Sequence, residues 1–210
     1  MNARGFERGR NRVEGAPEQR VQIERNVLDR LGARAVEHAA DDALDAFDLR
    51  ADGFEHVPLD LNALLRRIFD ATAPTLEASG VRLTTALAEG LPPVAGDADR
   101  LQQVFINLFN NALDAMRAGG ELRVETAREA SAVRVDFSDT GTGMTEEVRA
   151  HIFDPLYTTK ERGRGTGLGL VVVRQVVQEH GGRIEVESAP GQGARFRLTF
   201  PASAEDFKSL

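Results

Sequence analysis

Apolar and polar positions follow different rhythms in different parts of this chain. Over residues 18–50 apolar side chains recur every fourth position, at Ile23, Val27, Leu31, Ala35, Ala39, Ala43 and Phe47. Leu28, Val36, Ala40 and Leu44 form a second row beside them. That spacing winds a broad apolar stripe onto one helix, which stops near Gly53. A lone helix must bury such a stripe, and its alanines permit close helix approach. Residues 18–50 are therefore read as a dimerisation element, with packing onto the same chain as the alternative.

From Pro58 helical and strand periods alternate. "PLDLNALLRRIFDATAPTLEASG" predicts a helix opened near Asp60 and closed near Gly80, and "VRLTTAL" alternates as a strand. "GDADRLQQVFINLFNNALDAMRAGG" predicts a long helix closed by Gly119 and Gly120. "GELRVETAR" and "AVRVDFSD" predict two strands joined by a short turn, and "GLGLVVVRQVVQEHGG" a helix with a glycine stop. "RIEVESAPGQGARFRLTF" predicts a hairpin turning at "APGQG". Interleaved helices and antiparallel strands give an α+β expectation. It is a two-layer sandwich, with a mixed, mostly antiparallel sheet covered on one face by helices and preceded by a long helix. The expected organisation is 1–17 disordered or tag-like, 18–57 helix and linker, 58–202 the compact domain and 203–210 a tail.

Composition narrows the function. The 210 residues carry a net charge of −7, which argues against broad nucleic-acid or membrane binding. There is no cysteine, hence no disulfide or thiolate chemistry. No apolar run reaches transmembrane length, and "MNARGFERGRNRVEG" lacks an apolar signal core, so a cytoplasmic location is expected. With no Trp and one Tyr, a base-stacking platform is not expected.

Three stretches carry candidate chemistry. In "RLQQVFINLFNNALDAM", Asn107, Asn111 and Asp114 interrupt an otherwise apolar helix at spacings that align them on one stripe. Their oxygens are hard ligands of the kind Mg2+ takes; a solvated helix face is the alternative. In "DFSDTGTGM", Asp139 ends a strand before Gly141 and Gly143. A carboxylate there can accept from an amino group while the glycines admit a flat ligand. The same "DTGT" is an aspartic-protease signature, which in one copy requires a homodimer, and it is also good β-turn chemistry. In "IFDPLYTTKERGRGTGLGL", an aromatic and proline knot leads into a basic glycine-rich loop at a helix start, where free N–H groups bind phosphate. The stretch contains neither a P-loop nor a dinucleotide fingerprint. A flexible linker is its alternative.

Together, in this order, the stretches resemble the ATP-binding catalytic domain of sensor histidine kinases, in the superfamily that includes gyrase, Hsp90 and MutL. "NLFNNALDAM" is similar to the N box, "DTGTGM" to the first glycine box, "IFDPLYTTK" to the F box and "GRGTGLGL" to the second glycine box. "PGQGARFRLTFP" resembles the last hairpin, and the likeness spans roughly residues 58–201. The resemblance implies a Bergerat-type fold binding ATP and Mg2+. It makes Asn111 a metal ligand, with Asn107 supporting metal or phosphate and Asp114 in the same box. Asp139 would accept from the adenine amino group, with Gly141 and Gly143 lining its pocket. Phe153 and Tyr157 would anchor a lid. Lys160, Arg162 and Arg164 are its candidates to meet phosphates. Gly165, Gly167 and Gly169, with Thr166 and Leu168 between them, would form the hinge and the phosphate-facing helix start.

The pattern departs from the family in two places. The phosphoacceptor histidine normally sits in an H box, followed by an acidic residue and proline. None of the four histidines, His38, His56, His151 and His180, has that context. Residues 18–57 resemble the second helix of a dimerisation hairpin, whose first helix is missing. A fragment of a longer kinase, a short protein acting on a partner, and His38 as an unorthodox acceptor are the three explanations. The second departure is Ala194, where the last hairpin usually carries Thr or Ser. The implied partners are a histidine-containing acceptor domain, a response regulator and a second copy of this chain. The alternatives are an anti-sigma-factor-type serine kinase and a non-catalytic ATP-dependent switch.

Overall fold

Two aspartates start the two long helices. Asp60 Oδ1 accepts from the Ala63 N–H at 3.0 Å and opens α1 (Leu61–Ala78). Asp97 Oδ1 accepts from the N–H groups of Asp99 and Arg100 at 2.9 and 3.1 Å and opens α2 (Ala98–Ala115). Each cap satisfies donors that the first helical turn leaves unpaired. These helices belong to a computed structural model that describes residues 57–160 and 166–203. The expected helix over 18–50, the N-terminal tail, His38, His56 and residues 161–165 and 204–210 lie outside the described residues.

The main sheet has five strands: β2 (Val81–Leu87), β4 (Gly120–Glu129), β5 (Ala132–Asp139), β6 (Arg183–Ser188) and β7 (Ala194–Pro201). Their spatial order is β2-β4-β5-β7-β6, with β2 and β4 parallel and every other pair antiparallel. The parallel pair follows from its connection, which carries α2 across the sheet before returning to β4. Two further helices complete the described layer, the short α3 (Glu146–His151) and α4 (Gly169–Glu179). This is the expected α+β sandwich. It adds α3 and a two-stranded pair, β1 (Val57–Leu59) with β3 (Val94–Gly96), that the hydropathy pattern does not predict. Elements of three to six residues are too short to show a period.

Alternation along the strands decides which face is dry. Val133, Val135 and Phe137 of β5 are buried, as are Leu122 and Val124 of β4 and Phe196, Leu198 and Phe200 of β7. From α2 they meet Leu101, Val104, Phe105, Leu108 and Phe109, all buried, with the Phe105 and Phe137 rings stacked 5.7 Å apart. Each such side chain contributes about 1.5–3 kcal/mol by leaving water. The opposite face carries charge. There Asp136, 0% exposed, accepts from Arg197 Nε at 2.9 Å and Arg195 Nη2 at 3.0 Å, with Arg134 Nε 2.9 Å away.

Register positions the site. Asp139, the last residue of β5, stands opposite Leu122 on one side and Ala194 on the other. A central strand thus delivers its terminal carboxylate beside the turn between β6 and β7.

Candidate functional site

A cavity of about 1370 Å3 opens beside α2, the end of β5, the segment after α3 and the start of α4. It gathers Asn107, Asn111 and Asp114 from one stripe of α2, Asp139, Gly141 and Gly143 from the end of β5, and Tyr157, Lys160, Thr166, Gly167 and Gly169. Phe153 and Leu168 are not among its walls. Phe153 instead lies under the Arg174 guanidinium of α4, 5.5 Å from the ring centre, and Leu168 caps the start of α4. Arg162, Arg164 and Gly165 lie outside the described residues.

At one end Gly141, Gly143, Ala115, Met144 and Ala194, with Thr140 and Thr142, stand around the Asp139 carboxylate. Asp139 Oδ1 accepts from the Gly141 N–H at 2.8 Å and the Ala194 N–H at 3.3 Å, which leaves Oδ2 without a donor among the described residues. Burial raises the Asp139 carboxyl above its ordinary pKa, and those two N–H groups offset part of the rise. Gly141 is required because a Cβ there would stand 2.6 Å from the Ala115 Cβ. Gly143, at φ +64°, is pressed against the Ala189 carbonyl, 2.0 Å from where its Cβ would be.

Ser188 ties this loop to the β6–β7 turn. Its hydroxyl donates to the Gly193 carbonyl at 2.7 Å and accepts from the Met144 N–H at 2.9 Å. The Gly191 N–H adds a bond to the Thr142 carbonyl at 2.7 Å. Ser188, Gly191 and Gly193 were absent from the sequence-derived site. Their signals were the paired glycines of "APGQG" and the resemblance of "PGQGARFRLTFP" to the family's last hairpin, neither of which names these residues.

The other end is polar. Asn107 Nδ2 donates to the Gly169 carbonyl at 3.2 Å, tying α2 to the first residue of α4. Lys160 Nζ donates to Asn111 Oδ1 at 3.2 Å and to Asp114 Oδ2 at 2.5 Å. The α4 start has no side-chain cap, and Gly169 and Leu170 border the cavity, so its first N–H groups are available to an anion. Gly167, at φ +70°, would place a Cβ 2.4 Å from the Leu156 carbonyl carbon, so the chain closes tightly on itself just before α4.

Two histidines find structural partners. His151 Nδ1 lies 2.7 Å from Asp154 Oδ2, with its ring 5.5 Å from that of Tyr157. His180 is buried; its Nε2 accepts from the Asp97 N–H at 3.0 Å while Nδ1 lies 2.7 Å from the Val176 carbonyl. Those partners assign the proton to Nδ1.

The cavity therefore offers a half-buried carboxylate acceptor at one end and amide oxygens, an ammonium and a bare helix start at the other. Residues 96–204 match the family described as histidine kinase-, DNA gyrase B- and HSP90-like ATPase. The chain is 36% identical over 145 residues to the sensor histidine kinase ZraS of Escherichia coli O157:H7, an alignment covering 69% of this chain and 31% of ZraS. It thus spans about a third of that relative's length. Its fold is similar to the nucleotide-free catalytic domain of histidine kinase ThkA, with 29% identity and a TM-score of 0.62 over 71% of this chain and 96% of that one. It is also similar to full-length ShkA in complex with AMPPNP, with 28% identity and a TM-score of 0.69 over 91% of this chain and 40% of ShkA. The chain belongs to the histidine kinase-, DNA gyrase B- and HSP90-like ATPase family, and is an ATP-binding catalytic portion of the sensor-histidine-kinase kind.

Proposed function

We propose that this cleft takes ATP as its Mg2+ complex and donates the γ-phosphoryl group to a histidine of a two-component signalling system. The observation that carries the reading is Asp139 Oδ2, without a donor among the described residues, at one end of a cavity whose other end holds Asn111, Lys160 and the α4 start. Asp139 would accept from the adenine amino group, and Gly141 and Gly143 would let the ring approach the backbone. Asn107 and Asn111 would hold the metal. Lys160, the N–H groups at the α4 start, and Arg162 and Arg164 would meet the phosphates.

Among the described residues no cluster of three His, Cys, Asp or Glu side chains could hold a metal ion. The donor set fits Mg2+ nonetheless, because that ion takes few protein oxygens and keeps waters and phosphate oxygens. Bound there, it would neutralise charge on the transferring phosphoryl group. The protein's own part is to fix the triphosphate and exclude water.

The acceptor would be a histidine outside this chain, with His38 as the alternative acceptor within it. A response regulator would receive the phosphoryl group next, and residues 18–50 would pair two copies. Among the described residues no helix is long and apolar enough to cross a membrane. ATP is a cytoplasmic substrate, and we place this portion there.

The test is nucleotide binding by titration calorimetry with and without Mg2+. Asn111→Ala is expected to remove the metal-dependent part of ATP affinity; affinity unchanged by the substitution would sink the assignment. γ-Labelled ATP then reports the acceptor. Acid-labile label on the chain that disappears in His38→Ala would identify His38, and label appearing only on an added acceptor domain would assign the histidine elsewhere.

A further inference from the structure

The ammonium of Lys160 occupies an unusual place. Among the described residues its partners are Asn111 Oδ1 and Asp114 Oδ2, at 3.2 and 2.5 Å, and both lie on the α2 stripe whose oxygens are the proposed ligands. The contact spans 49 residues from Asn111 to Lys160, so it is made by the fold and not by local chain geometry. The Lys160 side chain is 29% exposed and Asp114 46%, so the pair is half-withdrawn from solvent at the cavity wall.

We propose that Lys160 is a built-in cation that keeps the metal position closed in the nucleotide-free cleft, so that a divalent ion is admitted together with the triphosphate. The inference rests on Asn111 being a metal ligand, as proposed above. An ion approaching Asn111 Oδ1 alone meets a positive charge already bonded to that oxygen, and Asp114 is neutralised by the same ammonium. Repulsion at contact distance in a half-buried site disfavours two cations on one oxygen. A triphosphate changes the balance, because its anionic oxygens offer Lys160 stronger partners than a single carboxylate. The ammonium moves to them, Asn111 Oδ1 is released, and Asp114 is left as an uncompensated carboxylate beside the metal. Lys160 is in this sense a positioning residue: it couples metal and nucleotide binding, and Asp114 is what holds it in the closed position. The coupling is reciprocal, as any linkage between two ligands must be.

The experiment is Mn2+ binding to the full 210-residue chain, read by the loss of the free-ion electron paramagnetic resonance signal. Without nucleotide, Lys160→Met is expected to tighten Mn2+ binding roughly tenfold or more, since a competing charge is gone. Lys160→Arg keeps the charge and should remain as weak as the parent. Arg66→Gln removes an equal charge from the exposed face of α1 and should also stay weak. Adding Asp114→Asn to Lys160→Met should cancel most of the gain. Mn2+ affinity unchanged in Lys160→Met, or equal gains in Arg66→Gln and Lys160→Met, would overturn the proposal. Its failure is separable from failure of the metal-ligand assignment. Asn111→Ala with the non-hydrolysable analogue AMPPNP present must weaken Mn2+ binding if Asn111 is a ligand. No change there refutes the assignment itself, and with it this inference. Weakening there, with no effect of Lys160→Met, refutes only the inference.

Discussion

Gly193 lies so close to Asp139 that a Cβ added at Gly193 would sit 1.9 Å from the Asp139 carbonyl oxygen. The turn between β6 and β7 is thereby fitted directly onto the strand end that carries the acceptor carboxylate. Gly193 also has φ +72°, where any other side chain is strained.

Gly193→Ala should therefore cost about 2–5 kcal/mol, from backbone strain and overpacking together. Urea unfolding measures the loss. Because the displaced atoms belong to Asp139, adenine-nucleotide affinity should fall in the fraction that remains folded. A variant as stable as the parent would show that the turn can move away.

Asp139→Asn separates function from stability. With Asp139 in its proposed role as acceptor for the adenine amino group, losing that charge should cut discrimination for ATP over GTP by about 10–150-fold, the equivalent of about 1.5–3 kcal/mol. Stability should move the other way. Burial raises the Asp139 carboxyl, so its contribution is greatest below the unfolded pKa and is lost as pH rises through the folded one. At pH 7 the ionised group is a net burden, and asparagine should leave the melting temperature equal or higher. A lower melting temperature with intact selectivity would contradict both halves.

Asp136 has the opposite sign. Burial pushes its carboxyl up, but hydrogen bonds from Arg195 and Arg197 and the charges of Arg195 and Arg134 outweigh it and hold it below 3.8. Its contribution is present above 3.8 and is lost as pH falls through the folded pKa. Asp136→Asn should destabilise by about 2–3 kcal/mol at pH 7, because three arginines lose their shared partner while keeping some access to water. The gap between variant and parent should narrow below pH 3.8. Urea melts at pH 7 and at the lowest pH where the parent stays folded check it; a constant gap would mean that charge is not the cause.

A buried polar ring near the start of α1 makes a fourth case. Asn62 Nδ2 donates to the Ala88 carbonyl at 2.8 Å, Thr126 Oγ1 donates to Asn62 Oδ1 at 2.9 Å, and the Ala88 N–H donates to Thr126 Oγ1 at 3.0 Å. Asn62→Ala strands two of these groups and should cost about 1–3 kcal/mol. None of the three residues borders the cavity, so nucleotide affinity measured well below the melting temperature should be unchanged.

What could be read from the chain depended on how far apart the cooperating residues lie. Asn107, Asn111 and Asp114 announce a shared stripe because helical geometry fixes their relation within seven residues. Asp139 is legible because it ends an alternating strand just before glycines. Lys160 stood only as one of three basic residues, since nothing local says which of them meets α2. Ser188, Gly191 and Gly193 are not named by any local pattern, because the Ser188 hydroxyl and the Gly191 N–H reach a loop about forty-five to fifty residues earlier. Asp136 misleads for a related reason. Strand alternation sends it to solvent, and only the register of β7 brings Arg195 and Arg197 over it. Asn62 and Thr126 are 64 residues apart and carry no pattern at all.

The His180 ring joins the start of α2 to the end of α4 across 83 residues of chain. Both helices form walls of the cleft proposed to take nucleotide, and this bond cannot exist until α4 is made. Loop closure over such a distance is an entropic cost that must be met before the bond repays it. This clasp predicts that the two helices open together, as one collective event distinct from fraying at a helix end. Hydrogen exchange should report this as matched protection of the Asp97 amide and the α4 amides. A bound nucleotide at a hundred times its Kd would raise both together by about 2.7 kcal/mol.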